Sequence, residues 1–135
     1  ANSTEMNPDT QNPVISIMEN QKNVENKGGT MRLGAWKCTI TENTLAHKIY
    51  GTTQIMERHR HRYEYNSNYA EKLQAAGLIN SGINPETGLV EIMELTNHPF
   101  YIGAQFHPEL KSTVEHPHPL FVHFIKAALQ YKATK

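Results

Sequence analysis

The chain has 135 residues, 38% of them hydrophobic, which suits the core of one domain of ordinary size. Thirteen Lys plus Arg offset thirteen Asp plus Glu, so no overall charge draws the chain to nucleic acid or an anionic membrane, and any basic site must be local. A single cysteine, Cys38, excludes an intrachain disulfide framework and suits a reducing, cytoplasmic setting. No apolar run reaches the roughly eighteen residues a membrane span needs, and the start Ala1-Asn2-Ser3-Thr4-Glu5 has no secretion signal. A start without Met points to residues drawn from a longer polypeptide.

Residues 1 to 13 are polar, with Asn-Pro at 7–8 and 12–13, and read as loop and turn. Val14 to Met18 is β-branched and short, a buried strand. Glu19 to Gly29 turns polar and ends in Lys27-Gly28-Gly29, a surface loop. Met31 to Ile40 alternates well enough for a strand. Asn43 is placed to cap a short helical turn through Leu45, Ala46 and Ile49, ended at Tyr50-Gly51.

Gln54 to Tyr65 reads as one extended piece. Asn66 or Ser67 caps a helix with a narrow stripe of Tyr69, Leu73 and Ala76, stopped by Gly77. Leu78–Gly82 and Leu89–Leu95 form a hairpin about the turn Asn84-Pro85-Glu86-Thr87-Gly88. The apolar run Phe100 to Ala104 continues as a strand ending at His107. After a Pro-rich loop at 116–119, a helix from Pro119 to Tyr131 turns Leu120, Phe121, Phe124, Ile125, Ala128 and Leu129 inward, and Lys132 to Lys135 fray. Strands and helices mix, so the class is α/β or α+β, with no internal repeat.

Four groups of residues could carry chemistry. In Gln105-Phe106-His107-Pro108-Glu109 an imidazole and a carboxylate stand two positions apart, spaced in an extended backbone by about 6 to 7 Å on one face. Pro108 keeps His107 out of helical geometry. A carboxylate on one ring nitrogen fixes the tautomer, leaves the other nitrogen basic and stabilises the imidazolium, the base-and-orienter half of a Cys or Ser triad. The plain reading is a solvated turn.

Arg58-His59-Arg60-His61-Arg62, as a strand, puts three arginines on one face and two histidines on the other. The arginines suit carboxylate or phosphate, and His-x-His could be half a metal site. A solvated edge strand protected by charge explains the same residues, and a nucleic-acid patch fits less well in a neutral chain. The pair His116-Pro117-His118 adds little to a zinc site, because Cys38 is the only thiol and no acidic residue recurs at a ligand offset, so no metal is assigned. Cys38 sits mid-strand with no glycine-rich elbow, and reads as a small core thiol rather than a nucleophile.

Asn2 to Glu5, Gly28-Gly29-Thr30-Met31-Arg32-Leu33-Gly34-Ala35, Glu57 to Asn66, and Gln105 to Glu109 with His118-Pro119-Leu120-Phe121 together resemble the CTP synthase family, across the later part of its class I glutamine amidotransferase domain. The resemblance runs the length of the chain, in order. It implies an α/β fold, a partial amidotransferase-like domain over residues 1–135 with a mixed sheet and flanking helices.

It further implies a glutaminase that hydrolyses glutamine through a Cys thioester and passes ammonia to a synthetase domain, where ATP-activated UTP becomes CTP. His107 would be the triad base and Glu109 its orienter; Glu5 would hold the glutamine ammonium, and Arg62 with the Tyr63 backbone its carboxylate. The family's Gly-Ile-Cys-Leu-Gly elbow and oxyanion strand are not in this sequence, nor is the synthetase domain with its ATP and Mg. By resemblance the partners are glutamine, those missing parts and, in the whole enzyme, a homotetramer. This chain alone is then expected to be inactive. The alternative is a non-catalytic, amidotransferase-like module that binds glutamine.

Overall fold

A computed structural model describes residues 1–17 and 31–135 of the chain. Five strands pair antiparallel in the order β4 (Gln54–His61), β3 (Arg32–Ile40), β6 (Leu78–Ile83), β7 (Val90–Leu95), β8 (Ile102–Ala104). A second, three-stranded sheet orders β1 (Asn2–Ser3), β2 (Pro13–Ile17) and β5 (Tyr63–Tyr65), with β1 parallel to β2. Helices α1 (Leu45–Tyr50), α2 (Ala70–Ala75) and α3 (Pro119–Ala133) complete the described fold.

β3 and β4 register from Arg32 opposite His61 to Thr39 opposite Gln54, whereas β3 meets β6 only at Thr39 and Ile40. The sheet therefore opens towards the start of β3, and one segment bridges the gap. The Gln105 N–H donates to the Glu91 carbonyl on β7 at 2.9 Å, and the His107 N–H to the Arg58 carbonyl on β4 at 2.8 Å. Between those two tethers Phe106 is buried against the His59 ring. A curled sheet results, with His107 fixed at its rim.

The core gathers Cys38, Ile40, Ala46, Ile49, Ile92, Phe106 and Leu120. Gly82 is where it packs most tightly: a Cβ there would lie 2.8 Å from Cys38 Sγ and 2.8 Å from Ile92 Cγ1, nearer than carbon atoms approach. Glycine at that position lets β6 lie against the Cys38 side chain. Helix α1 is held from outside itself, as the Glu94 carboxylate on β7 accepts from the N–H groups of Leu45 at 2.7 Å and Ala46 at 2.9 Å.

Several expectations change. The cap of α1 is Thr44, whose hydroxyl accepts from the His47 N–H at 3.1 Å; Asn43 instead takes a left-handed turn at φ 63°. Asn66 caps a 3-10 turn, Ser67–Tyr69, ahead of the six-residue α2, and Ala76, which follows the helix, is exposed rather than inward. The extended piece 54–65 breaks at Arg62, and its two parts join different sheets. Residues 1–13, read as loop, contribute β1 and the first residue of β2. β2 is half-buried, and Met18 with the loop 19–29 lies outside the described residues, as does Gly28-Gly29-Thr30.

The largest departure is α3. Leu120 is buried, but Phe121, Phe124, Ile125 and Leu129 are 41 to 62% exposed and Ala128 is exposed too. Its apolar stripe has the helical period expected, and most of it lies outside this core.

Candidate active site

One cavity of about 520 Å³ is lined by Glu5, Arg62, Tyr63 and His107, together with His61 and Gln105. These residues come from three places in the chain. Glu5 follows β1, which is anchored by the Thr4 N–H donating to the Ile15 carbonyl at 2.9 Å. Arg62 and Tyr63 stand at the bend where β4 passes into β5, and His107 lies past the end of β8. Arg58 and Arg60, on β4 before that bend, are both exposed. Arg58 takes no part in the cavity, while Arg60 lines it together with Arg62.

Glu109 Oε1 lies 2.7 Å from His107 Nδ1. The pair meets differently from the expected strand geometry. β8 ends at Ala104, His107 has φ −108° and ψ 89°, and Pro108 starts a 3-10 turn, Pro108–Lys111, in which Glu109 curls back to the ring. The Pro108 ring still supplies what was expected of it, a preset φ and an excluded helical His107. The hydrogen bond from His107 holds the Glu109 carboxyl below the usual carboxylate range. With Nδ1 committed to Glu109, Nε2 is the nitrogen able to take a proton from a nucleophile.

The histidines of β4 alternate with the exposed Arg58 and Arg60 and are more buried, and His61 reaches the cavity wall. Nδ1 of His59 and Nε2 of His61 are 2.7 Å apart, so they bond each other rather than a metal. Beneath them Arg32 is paired with Glu91 and lies 3.7 Å from Glu64, all buried. Burial pushes the Glu64 carboxyl up to about 7 and raises Glu91, and it drives His59 down to about 3 and His61 to about 4. His118, from the second histidine pair, is buried against Glu57 at 2.9 Å, while His116 is exposed. Among the described residues no three His, Cys, Asp or Glu side chains gather as a metal site.

Cys38 is fully buried beneath Gly82 and does not line the cavity. Burial first, then the nearby carboxylates Glu91 and Glu57, push its thiol up to about 12. A thiol in that state is a packing group, since the thiolate is the nucleophile.

The residues missed from sequence are the partners inside the curl: Arg32, Glu64, Glu91 and, apart from them, Glu57 with Tyr50 and Lys111. Glu91 and Glu94 flank Ile92 and Met93 in a strand whose positions are buried on both faces. Carboxylates inside an apolar run such as Leu89-Val90-Glu91-Ile92-Met93-Glu94-Leu95 were the available signal, because such groups persist only with partners.

Residues 9–127 match the glutamine amidotransferase class-I family. The chain belongs to that family. It is 70% identical over 98% of its length to the CTP synthase of Flavobacterium psychrophilum and 59% identical over 98% to that of Aquifex aeolicus, covering 25% of each relative. A solved structure, the glutaminase domain of Trypanosoma brucei CTPS with bound acivicin, superposes with a TM-score of 0.84 at 38% identity, over 96% of this chain and 50% of that one. This amidotransferase chain thus spans about a quarter of the length of the CTP synthases it matches. Its fold is the mixed α/β arrangement of a class I amidotransferase, with a curled sheet and flanking helices. No helix among its described residues is long and apolar enough to cross a membrane.

Proposed function

We propose that this amidotransferase chain carries the base side and the amino-acid pocket of a glutaminase. The observation behind this reading is that one cavity has Glu5, Arg62, Tyr63 and His107 on its wall, although they are up to about a hundred positions apart in sequence. Glutamine offers an ammonium, a carboxylate and a side-chain amide. A carboxylate for the first, a guanidinium with a backbone N–H for the second and an imidazole near the third match it group for group.

His107 would take the proton of a thiol as it attacks the amide carbon, then return it to the departing ammonia, while Glu109 holds the ring's tautomer and offsets the imidazolium charge. The thiol would come from a segment outside these 135 residues, since the one cysteine here is sealed in the core. In the same reading the ammonia passes to a synthetase that uses ATP and Mg to aminate UTP to CTP, in a cytoplasmic homotetramer.

Ammonia release from glutamine tests the division of labour. The chain alone should release none above buffer, and turnover that Cys38→Ser abolishes would overturn it. Calorimetry tests the pocket: binding at millimolar glutamine, lost in Arg62→Ala and in Glu5→Ala, is the expected result. No heat from the unsubstituted chain would remove the glutamine reading.

A further inference from the structure

Two histidines stand between the cavity and the core, and the chemistry proposed for His107 leaves both unused. His61 lines the cavity, and its Nδ1 is 3.0 Å from the Tyr63 carbonyl oxygen. A carbonyl can only accept, so His61 Nδ1 carries the hydrogen. The ring is neutral, held so by burial, and its Nε2 is therefore an acceptor for His59 Nδ1, at 2.7 Å. That choice fixes the next one. His59 Nε2 is left with a bare lone pair, 3.3 Å from Glu91 Oε2, and neither of these buried atoms has another hydrogen-bond partner.

Two lone pairs do not face each other in a dry interior, so a proton lies between them. The charge balance of the cluster supplies it. Arg32 is one cation against the two buried carboxyls of Glu64 and Glu91, with Oε1 of Glu91 on the guanidinium, and a second uncompensated carboxylate there would be costly. At least one carboxyl keeps its proton, and Oε2 of Glu91 is the atom that faces the acceptor.

We propose that His59 and His61 are positioning residues for the candidate glutamine cavity. A one-way chain of hydrogens, from the Glu91 carboxyl through both rings to the Tyr63 carbonyl, fixes the peptide after Tyr63 and with it the Arg62–Tyr63 bend. This rests on the glutamine reading of the cavity. It also separates the roles of the histidines on the wall: both nitrogens of His61 are committed, so His61 serves neither as base nor as ligand, and His107 alone among these rings retains a nitrogen for proton transfer.

Long-range proton–nitrogen NMR on the chain labelled with ¹⁵N-histidine reads the tautomers directly and needs no variant. His59 and His61 should both be neutral at pH 7 with the hydrogen on Nδ1; a hydrogen on Nε2 of His61, or an imidazolium at either ring, would overturn the chain. Two substitutions then separate positioning from simple packing, after a melt shows that each variant folds. His61→Asn sets an amide nitrogen near the place of Nδ1 and should keep glutamine affinity within about threefold, whereas His61→Ala should weaken it about tenfold. Equal losses in both would reduce His61 to a packing residue. If the unsubstituted chain binds no glutamine, the cavity reading falls and the positioning role falls with it, a result told apart from a wrong tautomer because the NMR measurement needs no ligand.

Discussion

Two His–Glu pairs of nearly equal length sit in this molecule, and they have opposite surroundings. His107 and Glu109 meet at 2.7 Å with side chains 37 and 58% exposed, beside an open cavity. His118 and Glu57 meet at 2.9 Å with 3 and 1% exposed; Tyr50 donates to the same Glu57 oxygen at 3.0 Å, and Lys111 lies 3.5 Å from the other. The distance is the chemistry both share. What differs is whether anything else can reach the ring, and that decides which pair can exchange a proton with a substrate and which one holds α3 and the 3-10 turn against β4.

The comparison breaks first on activity. In a polypeptide that also carries the nucleophile, His107→Ala should lower the kcat of glutamine hydrolysis by about 10⁴, measured as ammonia release. His118→Ala should act on stability instead, so a comparable drop in a His118 variant that still melts like the parent would erase the distinction.

Stability gives the reverse order. Glu57→Ala removes the partner of three side chains in a buried place and should cost about 3 kcal/mol in urea unfolding. Glu109→Ala, at an exposed pair, should stay within about 0.5 kcal/mol. Next in size is Gly82→Ala, which forces a methyl group against Cys38 and Ile92 and should cost about 2 kcal/mol by the same measurement.

The smallest effects are in pH. Glu64 is protonated up to about 7 in the folded chain but ionises near 4.5 when unfolded, so between those values unfolding releases a proton and stability falls as pH rises. Glu64→Gln should remove that contribution, so the change in urea midpoint from pH 5 to pH 7 should shift upward relative to the parent's. His59 and His61 act in the opposite sense. They stay neutral when folded, whereas the unfolded rings bind protons below about 6.5, so acid lowers stability through them. Glu109, with its lowered value, contributes stability present at neutral pH and lost as pH falls through that value.

What could be read in advance varies with how local the cause is. The hairpin of β6 and β7 was legible because Asn84 and Gly88 carry turn chemistry in themselves, and Asn84 Oδ1 accepts from Glu86 and Thr87 as its type predicts. The His107–Glu109 pair was legible as a pair, though its geometry comes from a 3-10 turn and not from a strand. Residues 54–65 misled, because nothing in Arg62 itself says that the next residue changes sheets. On α3, hydrophobic period announced an apolar face without saying what covers it.

Resemblance to a family, and not spacing, singled out Glu5 and Arg62. The sequence by itself determined a histidine and a carboxylate placed to pair two positions apart, and a cysteine in a strand where no elbow could lift it. Those follow from residue type and short spacing, which act over a few bonds. Only the tertiary structure decided which of them share a wall. Glu5, Arg62 and His107 come together because β1 pairs with β2, β4 breaks into β5, and the segment 105–107 is tethered to both β7 and β4. Such pairings are set by backbone hydrogen bonds and burial across distant stretches, and no single stretch encodes them. The same holds for the direction of hydrogens through His59 and His61, which exists only where a carbonyl at one end and a buried carboxyl at the other leave each ring a single choice.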